Sequence, residues 1–403
     1  MYRATLSACY IGNLVGALVT NLSPLLFVTL MESFQLSFEQ VGRLVLINFI
    51  TQIIADLSFS RPVDRYGIRP FITLGHALVF LGFLLFAYAP KIAVFSPYGA
   101  IMVATVVFSC GGGLLELLLS AIVQAIPSEA KASAMSLFHA FYAWGFIFVV
   151  VVTTALLALL GNSRWPWIFV IWSSIPLINF FIFLRVPLAP QVSEAQRTST
   201  RVLTTSPLFL FIVLGIALGG AAEVSMSQWT STYAEVTLGL PKQVGDLLGL
   251  CLFAGFLGTG RTLYGLYGRN LDIWQVMFWG SWFAAICYLV ASLSPVPIVS
   301  LIACGACGLG VALLWPGSVT LAAHRFPLAG ASMFAILAAG GDTGAAIGPW
   351  LLGLIADHFG STATLSPLRV GMLIGTAFPV TMGLCLIIIR RLQRTKRTVR
   401  TPL

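Results

Sequence analysis

The run from Phe146 to Leu160 reads FIFVVVVTTALLALL, with two threonines as its most polar residues. It is apolar on every face of a helix and offers no side to water, which is typical of a helix embedded in lipid. A strand of a membrane β-barrel would instead alternate polar and apolar residues over about ten positions. The run therefore indicates a membrane-spanning helix.

The composition of the whole chain extends this interpretation. Of its 403 residues, 58% are hydrophobic and only 9% are charged, whereas soluble domains carry about 25% charged residues. The first apolar stretch begins almost at Met1 and is too long for a cleavable signal peptide. We predict an all-α polytopic membrane protein with twelve spans, at about 4–31, 38–60, 70–90, 97–125, 131–158, 165–187, 207–235, 242–267, 272–292, 296–325, 328–357 and 366–390.

Basic residues are divided unevenly between the two sides of these spans. Seventeen of the 22 Lys and Arg residues, Arg261 among them, fall on the side that holds the N-terminus. The other five are Arg43, Lys91, Arg164, Lys242 and Arg369. Because positively charged loops stay in the cytoplasm, this predicts a cell inner membrane protein with both termini cytoplasmic. The basic tail then faces anionic lipid, and no nucleic-acid partner is expected.

The chain repeats itself across one polar connection. Gln40-Val41-Gly42 at the start of the second span matches Gln243-Val244-Gly245 at the start of the eighth. Likewise Cys110-Gly111-x-Gly113 matches Cys307-Gly308-x-Gly310. The repeat predicts two pseudo-symmetric six-helix bundles with a substrate site between them. The predicted boundaries are 1–187 for the N-terminal bundle, 188–206 for a cytoplasmic linker, 207–390 for the C-terminal bundle and 391–403 for a basic cytoplasmic tail.

The loop between the second and third spans carries the motif Arg61-Pro62-Val63-Asp64-Arg65-Tyr66-Gly67-Ile68-Arg69. It resembles the corresponding loop of the major facilitator superfamily, G-x-L-a-D-r-x-G-r-k, with Ser60 in place of the first glycine. The motif's glycine permits a tight turn, while its acid and arginines can cap helix ends in one conformational state and release them in the other. We predict that conformational gating involves Asp64, Arg65, Gly67 and Arg69.

Three acidic residues inside predicted spans, Glu116, Glu223 and Asp342, are the sharpest functional signal. No Lys or Arg is expected at their depth, and an unpaired carboxyl group in an apolar medium takes up a proton near neutral pH. We predict that these acids couple transport to H⁺, with Na⁺ as the alternative ion. The structural alternative is a neutral acid that bonds across a helix contact. No cofactor or metal is expected, because Cys304-x-x-Cys307 lacks further ligands.

Polar and aromatic side chains accompany these acids. Such mixtures suit the faces and hydroxyl edges of sugar rings, and they also suit flat cationic drugs. For any single aromatic residue, packing is a commoner role than binding. Trp315 directly precedes Pro316, and a proline can weaken the helix of the tenth span. The candidate substrate ligands are Asn21, Asn48, Gln52, His139, Tyr142, Trp144, Ser227, Gln228, Trp229 and Trp315.

Two regions narrow the resemblance within the superfamily. The seventh-span segment Gly219 to Ser225, and the segments Gly111 to Glu116 and Leu137 to Gly145, are similar to patterns of fucose permease and related glucose/galactose transporters. The resemblance implies that Glu116 couples protons and that His139 is a substrate ligand. The first span departs from that group, because it reads Asn-Leu-Ser-Pro from Asn21 where the group has Asn-Leu-Asn-Asp. The group's two-acid coupling scheme therefore does not transfer whole.

Together these features predict a secondary active transporter and not an enzyme, because no Ser/His/Asp set, metal cluster or phosphate loop occurs in a credible context. The expected function is proton-coupled symport of a small-molecule substrate, a sugar, polyol or related metabolite, by alternating access. We expect a monomer in the lipid bilayer. The alternatives are a proton-driven exporter of amphipathic compounds and a non-transporting membrane sensor or assembly factor.

Overall fold

The structure is a computed structural model that describes residues 2–91, 96–126, 131–189, 203–268, 271–326, 330–359 and 365–398. Within these ranges it describes the backbone but not the side chains of 61, 64, 131–137, 139–140, 330–332 and 394–398. Helices dominate, and no strand occurs in the described ranges. The crossing segments are α1 (Arg3–Asn21, continued after a bend by Phe27–Phe34), α2 (Phe38–Tyr66), α3 (Ile68–Tyr88), α4 (Pro97–Ala125), α5 (Lys131–Leu160), α6 (Trp165–Arg185), α7 (Pro207–Thr232), α8 (Lys242–Val244, Gly245–Cys251 and Leu252–Tyr267), α9 (Ile273–Leu293), α10 (Pro297–Val311 and Leu314–Arg325), α11 (Gly330–Phe359) and α12 (Pro367–Gly375 and Ala377–Thr398).

These segments confirm the predicted all-α polytopic architecture. Within the described ranges, ten helices are long and apolar enough to cross a membrane, and the two pieces of α1, bent by 41°, make an eleventh. The twelfth, α11, has 30 residues, about 45 Å of helix, and is less apolar because it carries Asp342 and several glycines. With α11 included the number of crossings is even, so the start of α1 and the end of α12 lie on one side. We call that side the terminal face, and the side where α2 begins the opposite face.

Local sequence explains where several of the helices begin and end. Proline is the first residue of α4, α7, α10 and α12, where its missing N–H costs no hydrogen bond. Ser37 and Gln40 form a capping box at the start of α2, each side chain bonding the other's backbone N–H. Gly67 has a φ of 83° between α2 and α3, so the predicted tight turn is present.

Close helix packing joins the two bundles. α11 lies along α7 in its own bundle and along α2 in the other, while α8 lies against α5. Gly344 of α11 faces the carbonyl of Ala217 so closely that a Cβ atom would overlap it, so this contact requires glycine. Apolar side chains cover the outside, among them Leu159 with 82% of its surface exposed. Lipid is the solvent that such a surface needs.

The tenth crossing breaks close to the predicted weak point. α10 is interrupted at Ala312 and Leu313, just before Pro316. In an unbroken helix the N–H of residue 316 would bond to the carbonyl of Ala312, but proline has no N–H. The break thus leaves one backbone acceptor free in the interior. The predicted linker lies mostly at 190–202, outside the described residues, so its boundaries stay a prediction.

Candidate functional site

A cavity of about 600 Å³ lies between the two bundles. Its lining reaches Gly265, near the terminal-face end of α8, and Ile273, the first residue of α9. Towards the opposite face the lining stops near mid-helix, at residues such as Phe49 and Phe253. The cavity therefore opens to the terminal face. Nine of the predicted site residues line it, namely Asn21, Gln52, Glu116, Tyr142, Glu223, Ser227, Gln228, Trp315 and Asp342.

Glu223 of α7 is paired, contrary to the sequence-based expectation. Nη2 of Arg261 donates to both carboxylate oxygens of Glu223, at 2.9 and 3.0 Å. The expectation that no cation lies at the depth of the acids is therefore wrong, although Arg261 does lie towards the terminal face, the side predicted for it. Arg261 lines the cavity from α8, six residues before that helix ends. Because one nitrogen serves both carboxylate oxygens, the contact is a bifurcated ion pair in which the two charges neutralise each other at the cavity wall.

The break in α10 holds Arg261 in place. Its Nε donates to the carbonyl of Ala312 at 3.1 Å, the acceptor that Pro316 cannot use. One guanidinium group therefore links α7, α8 and the interruption in α10. All three helices belong to the C-terminal bundle, so this linkage does not depend on contact with the other bundle.

Three other acids lie near one another, two of them in the cavity lining, and none has a cationic partner among the described side chains. Glu116 of α4 and Asp342 of α11 line it, and neither makes an ion pair or hydrogen bond among the described residues. Asp56 of α2, which we did not predict, is close enough to interact electrostatically with Glu116 and with Asp342. One carboxyl oxygen of Asp56 is buried without a hydrogen-bond partner. Carboxyl groups so placed repel one another when ionised, which favours uptake of protons or cations.

A band of amides and hydroxyls crosses the cavity from one bundle to the other. Asn21 of α1 donates to the hydroxyl of Tyr142 at 3.4 Å. Gln228 of α7 reaches the carbonyl of Thr20 and the side-chain oxygen of Asn21, both at 3.4 Å. The carbonyl oxygen of the Gln228 side chain is buried and has no hydrogen-bond partner among the residues that the structure describes. A buried acceptor of this kind is available to a hydroxyl donor.

Three predicted substrate ligands lie elsewhere. Asn48 is buried in α2, where it donates to the carbonyl of Val19 and accepts from Gln52. Trp144 is 63% exposed and does not line the cavity. Trp229 is fully buried and donates to the carbonyl of Pro349 at 2.8 Å, so it packs rather than binds. The side chain of His139, and that of Asp64 in the loop motif, lie outside the part of the chain that the structure describes.

The loop motif contacts the end of a neighbouring helix. Arg69 donates to three carbonyls at the end of α6, those of Phe183, Leu184 and Val186, at 2.7 to 2.9 Å. This arrangement satisfies acceptors that a helix terminus leaves free, and the cation suits that end of the helix dipole. Arg65 lies over the ring of Tyr66. The gating role of the motif stays a prediction.

Contacts between the bundles close the opposite face. The carboxylate of Asp357, near the end of α11, accepts from the backbone N–H groups of Phe38 and Glu39 at 3.1 and 2.7 Å and so caps α2. Trp350 donates to the Glu39 carboxylate at 2.6 Å. A second contact joins α5 to α8, because Thr154 donates to the buried carboxylate of Asp246 at 2.7 Å.

Comparison with known proteins agrees with this architecture. The Major Facilitator Superfamily model matches residues 9–273, and the chain belongs to this superfamily. It is therefore a multi-pass membrane transporter. An uncharacterized MFS-type transporter of Mycobacterium tuberculosis is 23% identical in an alignment of 327 positions that covers 77% of this chain and 70% of that protein.

Solved structures show the same fold. A D-xylose–proton symporter is 17% identical with a TM-score of 0.77, over 95% of this chain and 96% of that chain. The fucose:proton symporter of Escherichia coli is 15% identical with a TM-score of 0.66, over 96% of this chain and 99% of that chain. At these identities the likeness establishes the fold alone.

The missed residues, Arg261 and Asp56, carried a signal in the sequence. Both lie inside predicted spans, at 242–267 and 38–60, where a charge is costly unless it is paired or hydrated. Treating every charge within a span as a site candidate would have found them.

Metal binding has no support among the described side chains, where no group of three or more His, Cys, Asp or Glu residues could hold an ion.

Proposed function

We propose that this transporter is a proton-coupled symporter of a small polar solute, in the class of sugars, polyols and related metabolites, and that it works by alternating access. The observation that carries the proposal is the presence of Glu116 and Asp342 in the lining of a cavity between the bundles, where neither has a partner among the described residues. Closing the cavity around ionised carboxylates costs free energy, because their charges lose contact with water. Protonated carboxyl groups are neutral, so the closed state then forms at little cost. Proton uptake thereby becomes a condition for transport.

The test is solute accumulation in proteoliposomes. A thermal-shift screen of sugars and metabolites first identifies a ligand, and its uptake is then measured with an inward proton gradient, with a sodium gradient and with neither. We expect accumulation only with the proton gradient, and Glu116→Gln is expected to lose accumulation while keeping exchange of solute across the membrane. Glu32→Gln, at an exposed acid near the opposite face, is the matched control. Equal accumulation by the parent protein and Glu116→Gln in every condition contradicts proton coupling through this residue.

An exporter of amphipathic compounds is the second candidate, favoured by aromatic groups in the cavity lining. These aromatics include Phe49, Phe138, Phe146, Phe253 and Trp315. An exporter lowers the sensitivity of its host to lipophilic cations, and a solute importer does not. Host growth across a dilution series of such cations, with and without expression, separates the two.

We further propose that the protein is a monomer of the cell inner membrane with both termini in the cytoplasm. Basic residues concentrated on the terminal face support this orientation. The cavity described above then faces inwards. A reporter that is active only in the cytoplasm, fused after Leu403, tests the orientation, since it gives no signal if the terminal face lies outside.

A further inference from the structure

The Glu223–Arg261 pair is built so that one of its partners can be exchanged. Arg261 uses Nε on the Ala312 carbonyl and Nη2 on Glu223, while its Nη1 makes no hydrogen bond within the described part of the chain. The Arg261 side chain is 28% exposed and that of Glu223 is 13% exposed, and both line the cavity. Anchored through Nε, the guanidinium group keeps its orientation whether or not Glu223 stays bound to it.

We propose that the transported solute carries a carboxylate that replaces Glu223 on Arg261 when Glu223 is protonated. This inference rests on the proposed function and names the class of its substrate. Protonation of Glu223 leaves the Arg261 charge without a counterion in an apolar cavity, and an incoming carboxylate restores neutrality. Loss of the proton restores the original pair and displaces the anion. Proton and anion thus bind cooperatively, each strengthening the affinity for the other.

The charged and titratable groups around Glu223 fit this scheme. Arg261 faces it from α8, the Tyr142 hydroxyl from α5 and the Cys307 thiol from α10, and each interacts with it electrostatically. Glu116 and Asp342 line the same cavity from α4 and α11. Their negative charges oppose an anion that arrives without protons.

The position of Gln228 adds a second specificity element. It lies five residues after Glu223 on α7, which is about 7.5 Å along the helix axis. Its unpartnered side-chain oxygen accepts from a hydroxyl donor. A carboxylate on Arg261 and a hydroxyl on Gln228 together match a hydroxylated monocarboxylate, the class to which sugar acids belong. A neutral sugar leaves Arg261 without a new partner.

Binding to the purified full-length protein tests the proposal. The probes are gluconate, glucuronate and lactate, each compared with glucose and sorbitol as neutral controls, with affinity measured at pH 6, 7 and 8. The wild-type protein is expected to bind at least one acid more tightly as pH falls, by about tenfold per unit for one linked proton. Glu223→Gln mimics the protonated acid, so it is expected to bind that acid about tenfold more tightly at pH 7.5 and to lose most of the pH dependence.

Arg261 variants test whether its guanidinium group is the partner of the anion. Arg261→Gln is expected to abolish binding of the acid. Arg261→Lys keeps the positive charge and is expected to keep part of the affinity, which shows that the charge contributes to binding. If Glu223→Gln is folded by thermal unfolding and gains no affinity for any of the three acids, the inference is overturned. Proton-driven accumulation of a neutral sugar with no acid binding overturns the inference and leaves the proposed function standing. Acid binding that follows the expected pattern, but without proton-driven accumulation, supports the inferred binding site and contradicts the proposed proton-coupled symport.

Discussion

Polar contacts inside the cavity and polar contacts at the opposite face do different things. The Glu223–Arg261 pair lies within one bundle, linking α7, α8 and the break in α10. The bonds from Asp357 to the start of α2, and from Thr154 to Asp246, join one bundle to the other. A contact within a bundle survives a rocking movement of the bundles, whereas a contact between them must break. The first kind builds the site, and the second kind selects which face is open.

The largest expected effect follows from removing one member of the cavity pair. Arg261→Ala leaves Glu223 as an uncompensated charge, and we expect a loss of about 3 kcal/mol in the free energy of unfolding. Adding Glu223→Gln removes the orphaned charge and is expected to restore most of that loss. Unfolding in detergent across the four members of this double-mutant cycle measures the coupling. Strictly additive losses for the two substitutions contradict a stabilising pair.

Asp357→Asn is expected to change which face of the transporter is open, and to leave the fold intact. It weakens the cap on α2 and removes a negative charge from the positive end of the helix, together worth about 1 kcal/mol. Such a change shifts the population of the two states about fivefold towards opening at the opposite face. The measurement is labelling of a reporter cysteine, Ser227→Cys in a cysteine-free background, by an impermeant reagent applied from that side.

Glu32→Gln supplies the control for Asp357→Asn, because it removes a similar charge from an exposed side chain on the same face. Its labelling rate should equal that of the parent. If Asp357→Asn also leaves labelling unchanged, the cap does not hold the face closed.

Thr154→Val tests the second contact between the bundles and should have the smallest effect. Asp246 keeps its bonds to Ser231 and Lys242 when the threonine hydroxyl is lost, so the expected change is about 1 kcal/mol or less. The same cysteine reporter is expected to be labelled severalfold faster at most. Thr105→Val, which removes a buried hydroxyl bonded within α4 itself, is the matched control and should leave labelling as it was.

The fold could be predicted almost completely from the sequence, for a physical reason. A span must be long and apolar to lie in lipid, so each one leaves a local signature that needs no knowledge of its neighbours. The run from Phe146 to Leu160 is such a signature. The break in α10 was also indicated locally, because Pro316 lacks the N–H that an unbroken helix requires.

Some residues of the candidate site could be predicted from the sequence and others could not. Glu116, Glu223 and Asp342 could be named because a carboxyl group inside a span is costly wherever it lies. Trp144 was misplaced because aromatic residues occur on lipid-facing and cavity-facing sides alike, and the rotation of a uniformly apolar helix such as α5 leaves no pattern in the sequence.

The order of amino acids alone indicates that lipid surrounds this protein, where its apolar spans lie and which acids its interior has to accommodate. These properties follow from the free energy of single residues in lipid. The packing of the helices was needed to show that Glu223 has Arg261 as its partner, 38 positions away, and that Glu116 and Asp342 have none among the described residues. Pairing depends on how three helices are rotated and on one freed carbonyl at Ala312, and such relations exist only once the helices have packed.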